Sequence, residues 1–247
     1  MTLTNPESST VSQAAPATLS QPVPRSAATI VGAAFIIGGI ATIVFNVLFP
    51  RADDPADIPQ ALTTFGENEV LRQICFLGVL AGLWTIGGGM LWIARRLQGV
   101  RGSEVARLAS FAIVIGLALF TASAGIGLAT TGAAVDWLDS GASTTSTEYA
   151  IAAALDAVDN GVWAISVVAL WLGFGLLGTA MVRAKFGPAW SGWALLMLGI
   201  AVAAAAGVPM AVGAISQATM LLFAGLAMLT SLWVVVMGGW LLRQRQS

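Results

Sequence analysis

The sequence predicts an all-α fold: a polytopic membrane helix bundle of six transmembrane helices with both termini cytoplasmic. Three observations predict it. The chain is 57% hydrophobic and only 9% charged over 247 residues, where a soluble domain carries about 25% charged residues. Six stretches of spanning length hold almost no ionised side chain, and about 20 apolar residues suffice to cross a bilayer as a helix. The charges between those stretches alternate in sign from one connection to the next, which gives the chain a direction across the membrane.

Residues 1–25 are rich in Ser, Thr, Ala, Pro and Gln and too polar to bury a core, so a disordered cytoplasmic tail is expected there. The transmembrane domain is expected over 26–243, with a tail end at 244–247. Its spans are placed at about 27–49, 71–94, 108–135, 158–182, 189–211 and 217–242. The first apolar run is 23 residues long, beyond the 7–15 of a signal-peptide core, and reads as an uncleaved span. Helices are the expected form because each satisfies its backbone groups internally, and the roughly ten-residue alternating strands of a membrane barrel are missing.

Pro50-Arg51-Ala52-Asp53-Asp54-Pro55 should stop span 1, since proline cannot continue the helical hydrogen-bond ladder. Asp57 has the chemistry to cap a short helix running to about Phe65. Thr145 and Glu148 have capping-box spacing, so a helix is expected to start there and run straight into span 4. Pro209 should mark a kink or an end in span 5.

Orientation follows from the bases. Arg25, Arg95, Arg96, Arg101, Arg107, Arg183, Lys185, Arg243 and Arg245 fall on one side of a six-span topology, against two acids, for a net +7. The other side carries ten acids and only Arg51 and Arg72, for a net −8. Basic connections stay inside, so the chain is expected in a prokaryotic inner (cytoplasmic) membrane, multi-pass, with the acidic set outside.

Three spans carry Leu-Trp, then glycines, then a base: Leu83-Trp84 to Arg95, Leu170-Trp171 to Arg183, and Leu232-Trp233 to Arg243. This either traces three repeated hairpins or reflects the frequency of Gly, Trp and Arg near membrane helix ends. Three further features resemble a family of six-span bacterial and archaeal integral-membrane proteins of unknown function. They are Asn46-Val47-Leu48-Phe49-Pro50-Arg51 closing span 1, the Asp/Pro-rich segment and short helix before span 2, and Phe186-Gly187-Pro188-Ala189-Trp190-Ser191-Gly192-Trp193 opening span 5. The resemblance covers about 27–242 and implies the six-span fold. It implies no activity. Many members of that family have His before the span 1 proline, where this chain has Phe49.

The composition narrows the chemistry. His is absent, which removes the commonest metal ligand and general base, and the lone Cys75 rules out an intramolecular disulfide and a Cys cluster. No metal site and no cofactor are expected. With a net charge of −1 there is no basic field to recruit nucleic acid. Membrane lipids, and a membrane-protein partner or a second copy of the chain, are the expected contacts.

The candidate polar groups lie near the outer boundary: Asn46, Arg72, Gln73, Asp156, Asp159, Asn160 and Gln217. Asp156, Asp159 and Asn160 share one helix face at i, i+3 and i+4. They read either as a cation or proton entry site or as acids kept wet at a helix N-terminus, where the macrodipole favours them. Arg72 is placed either to pair with that face and lock spans 2 and 4 or to snorkel to a lipid phosphate. Asn46, Gln73, Asn160 and Gln217 either orient helices pairwise or ring an outer vestibule. Gly78, Gly82, Gly87, Gly88 and Gly89 are expected at a close helix contact. Trp92, Trp137, Trp190, Trp193 and Trp240 are expected at the interfaces, and Trp84, Trp171 and Trp233 in the core.

The function expected from these features is a non-enzymatic structural, accessory or interaction protein of the membrane. The alternative is a small transporter or channel for a neutral or lipophilic solute with an outward-facing polar vestibule. A third is an intramembrane enzyme using Asp156 and Asp159 as a carboxylate pair.

Overall fold

The computed structural model describes residues 25–213 and 216–243. The tail expected at 1–25 lies outside these residues except for Arg25, which opens the first helix; 244–247 and part of the turn before the last span also lie outside them. Every element is helical: α1 (Arg25–Leu48), α2 (Ile58–Glu67), α3 (Glu69–Arg96), α4 (Ser103–Asp139), α5 (Thr147–Ala184), α6 (Ala189–Val202), a π-helical turn (Ala203–Gly207), α7 (Val208–Ala211) and α8 (Gln217–Arg243). Among the described residues six helical stretches are long and apolar enough to span a membrane, with α6, the π turn and α7 forming one of them over Ala189–Ala211. The chain is a multi-pass membrane protein.

The helix ends follow from local chemistry. Asp57 caps α2 as expected, its carboxylate accepting from the Gln60 backbone N–H at 3.1 Å. At α5 the cap falls one residue later than the capping-box spacing suggested: Ser146 Oγ accepts from the Tyr149 backbone N–H. Pro209 does not end its helix. The backbone widens into the π turn just before it, which relieves the clash a proline ring makes with the carbonyl four residues back.

The spanning helices close a circuit. α1 packs on α3 and α8, α3 on α4, α4 on α5 along the most extensive interface, α5 on α6, and α6 on α8. Phe35, Met90, Ile113, Leu170, Leu177, Leu195 and Met237 from all six stretches meet in one apolar core. A hydrophobic driving force is weak inside lipid, so close van der Waals approach must hold helices together. Glycines provide it. A Cβ on Gly32 or Gly238 would lie 2.9 or 2.6 Å from the other's carbonyl oxygen across α1 and α8. Gly38 and Gly82 meet the same way across α1 and α3, and Gly178 and Gly192 across α5 and α6.

Of the glycines expected at a contact, Gly78, Gly82, Gly87 and Gly89 pack, against Phe45, Thr42, Leu117 and Phe35 respectively. Gly88 does not; nothing lies within 4 Å of its Cβ position, because it points away from both neighbouring helices. Gly88→Ala is therefore expected to be neutral, or stabilising by up to about 1 kcal/mol through helix propensity. Gly89→Ala should destabilise, since the new methyl would meet the fully buried Phe35 ring at 2.1 Å. Thermal midpoints of the two variants in detergent test the contrast, and equal midpoints would refute it.

Trp171 and Trp233 are core residues as expected, but two other tryptophans are not where the sequence placed them. Trp84 is 56% exposed and donates from Nε1 to Thr121 Oγ1 on α4 at 3.0 Å. Trp137 is only 2% exposed and donates to the Ser143 carbonyl at 3.0 Å. It sits in a second, smaller core with Leu62, Ala134 and Ala152, flanked by Phe65 and Tyr149. That core exists because α4 and α5 are 37 and 38 residues long. At 1.5 Å per residue they run about 55 Å, well beyond the roughly 30 Å of a hydrocarbon layer. Their acidic ends, with α2 folded against α4, form a cap over one end of the bundle.

Candidate functional site

Beneath this cap lies a buried charged junction. Arg72 occupies the first turn of α3 and is 4% exposed. Its Nε donates to Thr131 Oγ1 on α4 at 3.0 Å, and Thr131 in turn donates to the Gly127 carbonyl at 2.8 Å. The guanidinium carbon lies 3.3 Å from the centroid of Phe65 on α2, 5.0 Å from Phe76 on α3 and 5.2 Å from Phe49, which follows α1. Phe49 and Phe76 meet edge to face at 4.9 Å. An arginine in this cage keeps its charge against the negative ring faces while the rings exclude water.

Asp156 and Asp159 project from α5 and are each 8% exposed. Ser123 Oγ on α4 donates to Asp159 Oδ1 at 2.5 Å. Asn160 Nδ2 donates to Asp156 Oδ2 at 3.0 Å. Gly127 leaves room for the second Asp159 oxygen; a Cβ there would sit 2.9 Å from Oδ2 and 2.4 Å from the Phe76 ring. The junction thus draws on α2, α3, α4 and α5 and holds two carboxylates against one guanidinium.

Both acids interact electrostatically with Arg72, yet neither touches it. An ion pair forms elsewhere, between Arg107 and Glu104 on an exposed part of α4. The expected lock between spans 2 and 4 is corrected accordingly: Arg72 is tied directly to α4 through Thr131, and the carboxylates are tied to α4 through Ser123 and within α5 through Asn160.

The acids are also not the wet N-terminal carboxylates that residue position alone allowed. α5 starts at Thr147, so Asp156 and Asp159 stand nine and twelve residues inside it. That is about 14 and 18 Å from its end, and the macrodipole acts within the first turn. Counting from Arg95, Arg72 is about 35 Å along α3, near the far limit of a hydrocarbon layer. The cap, through Phe65 of α2, covers this boundary position.

The remaining polar candidates do not join the junction's hydrogen bonds. Asn46 donates to the Thr42 carbonyl one turn back. Gln73 donates to Glu69 on its own helix. Gln217 is exposed at the start of α8. No hydrogen bond links any two of Asn46, Gln73, Asn160 and Gln217, so the four do not form a ring of mutually bonded groups.

Sequence reasoning missed Ser123, Gly127 and Thr131. Their signal was present: small or hydroxylic residues at i, i+4 and i+8 mark one stripe of an otherwise apolar span. It also missed Phe49, Phe65 and Phe76, which no local pattern connects to Arg72.

A polar surface depression of about 370 Å³ lies over the α2–α3 corner, lined by Gly66 to Leu71 and including Glu67 and Glu69. It is immediately flanked in sequence by Phe65 and Arg72. Among the described residues no group of three or more His, Cys, Asp or Glu gathers to hold a metal ion. The chemistry open to the junction is electrostatic: it fixes the cap to the bundle and leaves Asp156 Oδ1 and Asp159 Oδ2 able to accept a proton or a further donor. Compared with family models, curated proteins and solved structures, the chain matches none.

Proposed function

We propose that this chain is a non-enzymatic, multi-pass protein of a prokaryotic cytoplasmic membrane, with both termini cytoplasmic, that presents a rigid acidic cap to a protein partner on the outer side. The observation that carries this is the cap's own core. Leu62, Ala134, Trp137 and Ala152 hold α2 on the extended ends of α4 and α5, and the Arg72 junction ties the assembly to the bundle beneath. A span needs no such extension. A preorganised surface outside the bilayer lowers the ordering cost of binding. Asp53, Asp54, Asp57, Glu67, Asp136 and Asp139 are exposed on it, which favours a basic partner surface and fast encounter.

The test uses a photo-crosslinking residue at Ala142, on the exposed cap tip, in native membranes. One discrete adduct is expected, diminished severalfold by Asp136→Lys with Asp139→Lys. An adduct yield indifferent to charge reversal would sink the proposal. Reporter fusions within 97–102 and 140–146 test the orientation, with opposite sides expected.

A second reading, a small transporter for a neutral or lipophilic solute, draws support from the two buried carboxylates on α5 and from the polar depression at the α2–α3 corner, whose lining runs up to Arg72 in sequence. Under it, Asp159→Ala and Asn160→Ala each reduce solute flux in proteoliposomes. Unchanged flux at intact expression removes it.

A further inference from the structure

A groove runs along the membrane face between α6 and α8, far from the junction in the fold. Trp190, Met197 and Ala201 line one wall, and Leu229, Trp233 and Val236 the other. These residues recur at helical spacing on each helix, so the groove follows both axes. Its volume is about 510 Å³. Spread over the twelve residues from Trp190 to Ala201, about 17 Å of helix, that is a cross-section on the order of 30 Å². A helix with its side chains is about 10–12 Å across, far too thick to enter. A single extended hydrocarbon chain fits.

One end of the groove is cationic. Trp190 lies just inside α6, directly after the α5–α6 turn, and that turn carries the exposed Lys185. Phe186 from the same turn packs on Trp240 of α8, ring centroids 6.2 Å apart. The contact holds the turn beside the last turn of α8, which ends at the exposed Arg243. Two bases, Lys185 and Arg243, therefore lie on the two elements that meet at the groove end where the half-exposed Trp190 stands. Tryptophan prefers the headgroup level of a bilayer, and bases there attract anionic lipid.

We infer that the α6–α8 groove is a binding site for an anionic phospholipid, with one acyl chain in the groove and the phosphate on Lys185 and Arg243. The site is independent of the cap and of any partner the cap engages.

The full chain reconstituted in phosphatidylcholine vesicles tests this by tryptophan quenching. Brominated-acyl phosphatidylglycerol is titrated in one series and brominated-acyl phosphatidylcholine in the other. The component due to Trp190 is identified by its loss in Trp190→Phe. It should be quenched by phosphatidylglycerol at a mole fraction lower by on the order of tenfold, the preference that two bases near the surface supply. Lys185→Ala with Arg243→Ala should bring the two lipids to parity; both side chains are exposed, so the fold is retained. Parity in the unaltered protein means bulk lipid alone and overturns the site. A preference that survives the double substitution overturns the role of these two bases. Quenching by neither lipid means that protein covers the groove, and a disulfide-linked dimer of Met197→Cys would identify a second copy as the cover.

Discussion

Arg72→Ala is expected to lower stability by about 3–5 kcal/mol, the scale seen when one partner of a buried charge arrangement is removed. The loss has two parts. Asp156 and Asp159 are each 8% exposed and would be left with no cation in the junction. Phe65, whose ring lies 3.3 Å from the guanidinium carbon, would lose the group that seats α2 on the bundle. The thermal midpoint in detergent should fall, and limited proteolysis between Arg51 and Asp57 should speed up as α2 loosens. Arg72→Lys should recover little, because an ammonium lacks the flat fork that stacks on Phe65 while donating to Thr131. Arg72→Met combined with Asp156→Asn and Asp159→Asn should recover much of the loss by removing all three charges together. If the acids are solvated instead, Arg72→Ala behaves as a surface substitution, within about 0.5 kcal/mol, and the buried junction is refuted.

Gly199→Ala is the second large effect. A Cβ on Gly199 would lie 2.4 Å from the Gly175 backbone nitrogen and 2.5 Å from the Trp171 carbonyl oxygen. Both contacts are backbone, so no rotamer change relieves them and α5 and α6 must separate. Overpacking of this kind costs about 1–3 kcal/mol, with the upper end expected where only backbone can yield. Gly175 faces the same crossing, yet a Cβ there meets its nearest neighbour at 3.6 Å, ordinary van der Waals contact. Gly175→Ala should therefore be tolerated. Thermal midpoints of the pair decide the matter; two equally harmful substitutions would mean that the interface is symmetric and the close approach at Gly199 is wrong.

The glycine pair illustrates how far the sequence could be read. Gly78-x-x-x-Gly82 and the Gly87-Gly88-Gly89 run stand out as a motif, and four of those five do pack. Gly175, Gly178, Gly192 and Gly199 form a tighter crossing but are split between two helices, so no single-segment pattern displays them. The cap was half legible. Asp57 announces the start of α2 through capping chemistry, and Thr145 to Glu148 announces an early start for α5 within one residue. Trp137 reads from the sequence as an interface anchor, because position along a span cannot distinguish a membrane boundary from a small core built just beyond it.

The polar candidates divide along the same line. Asp156, Asp159 and Asn160 were grouped by their i, i+3, i+4 spacing, and they do share a buried face. Gln73 and Asn46 satisfied themselves on their own helices through i, i+4 bonds, a local outcome that removed them from the junction's hydrogen bonds.

By itself the sequence determined the solvent, the six spans and the alternation of charge along them, because each depends on residue type and period within a single segment. Only the tertiary structure decided that the acids beneath the cap are buried and that Arg72 is caged. Those facts rest on contacts such as Arg72 to Thr131, 59 residues apart, and Ser123 to Asp159, 36 apart. Burial of a charge is a property of what folds over it, and here that is a helix and a hairpin tip whose paths back onto the bundle are written in no one segment.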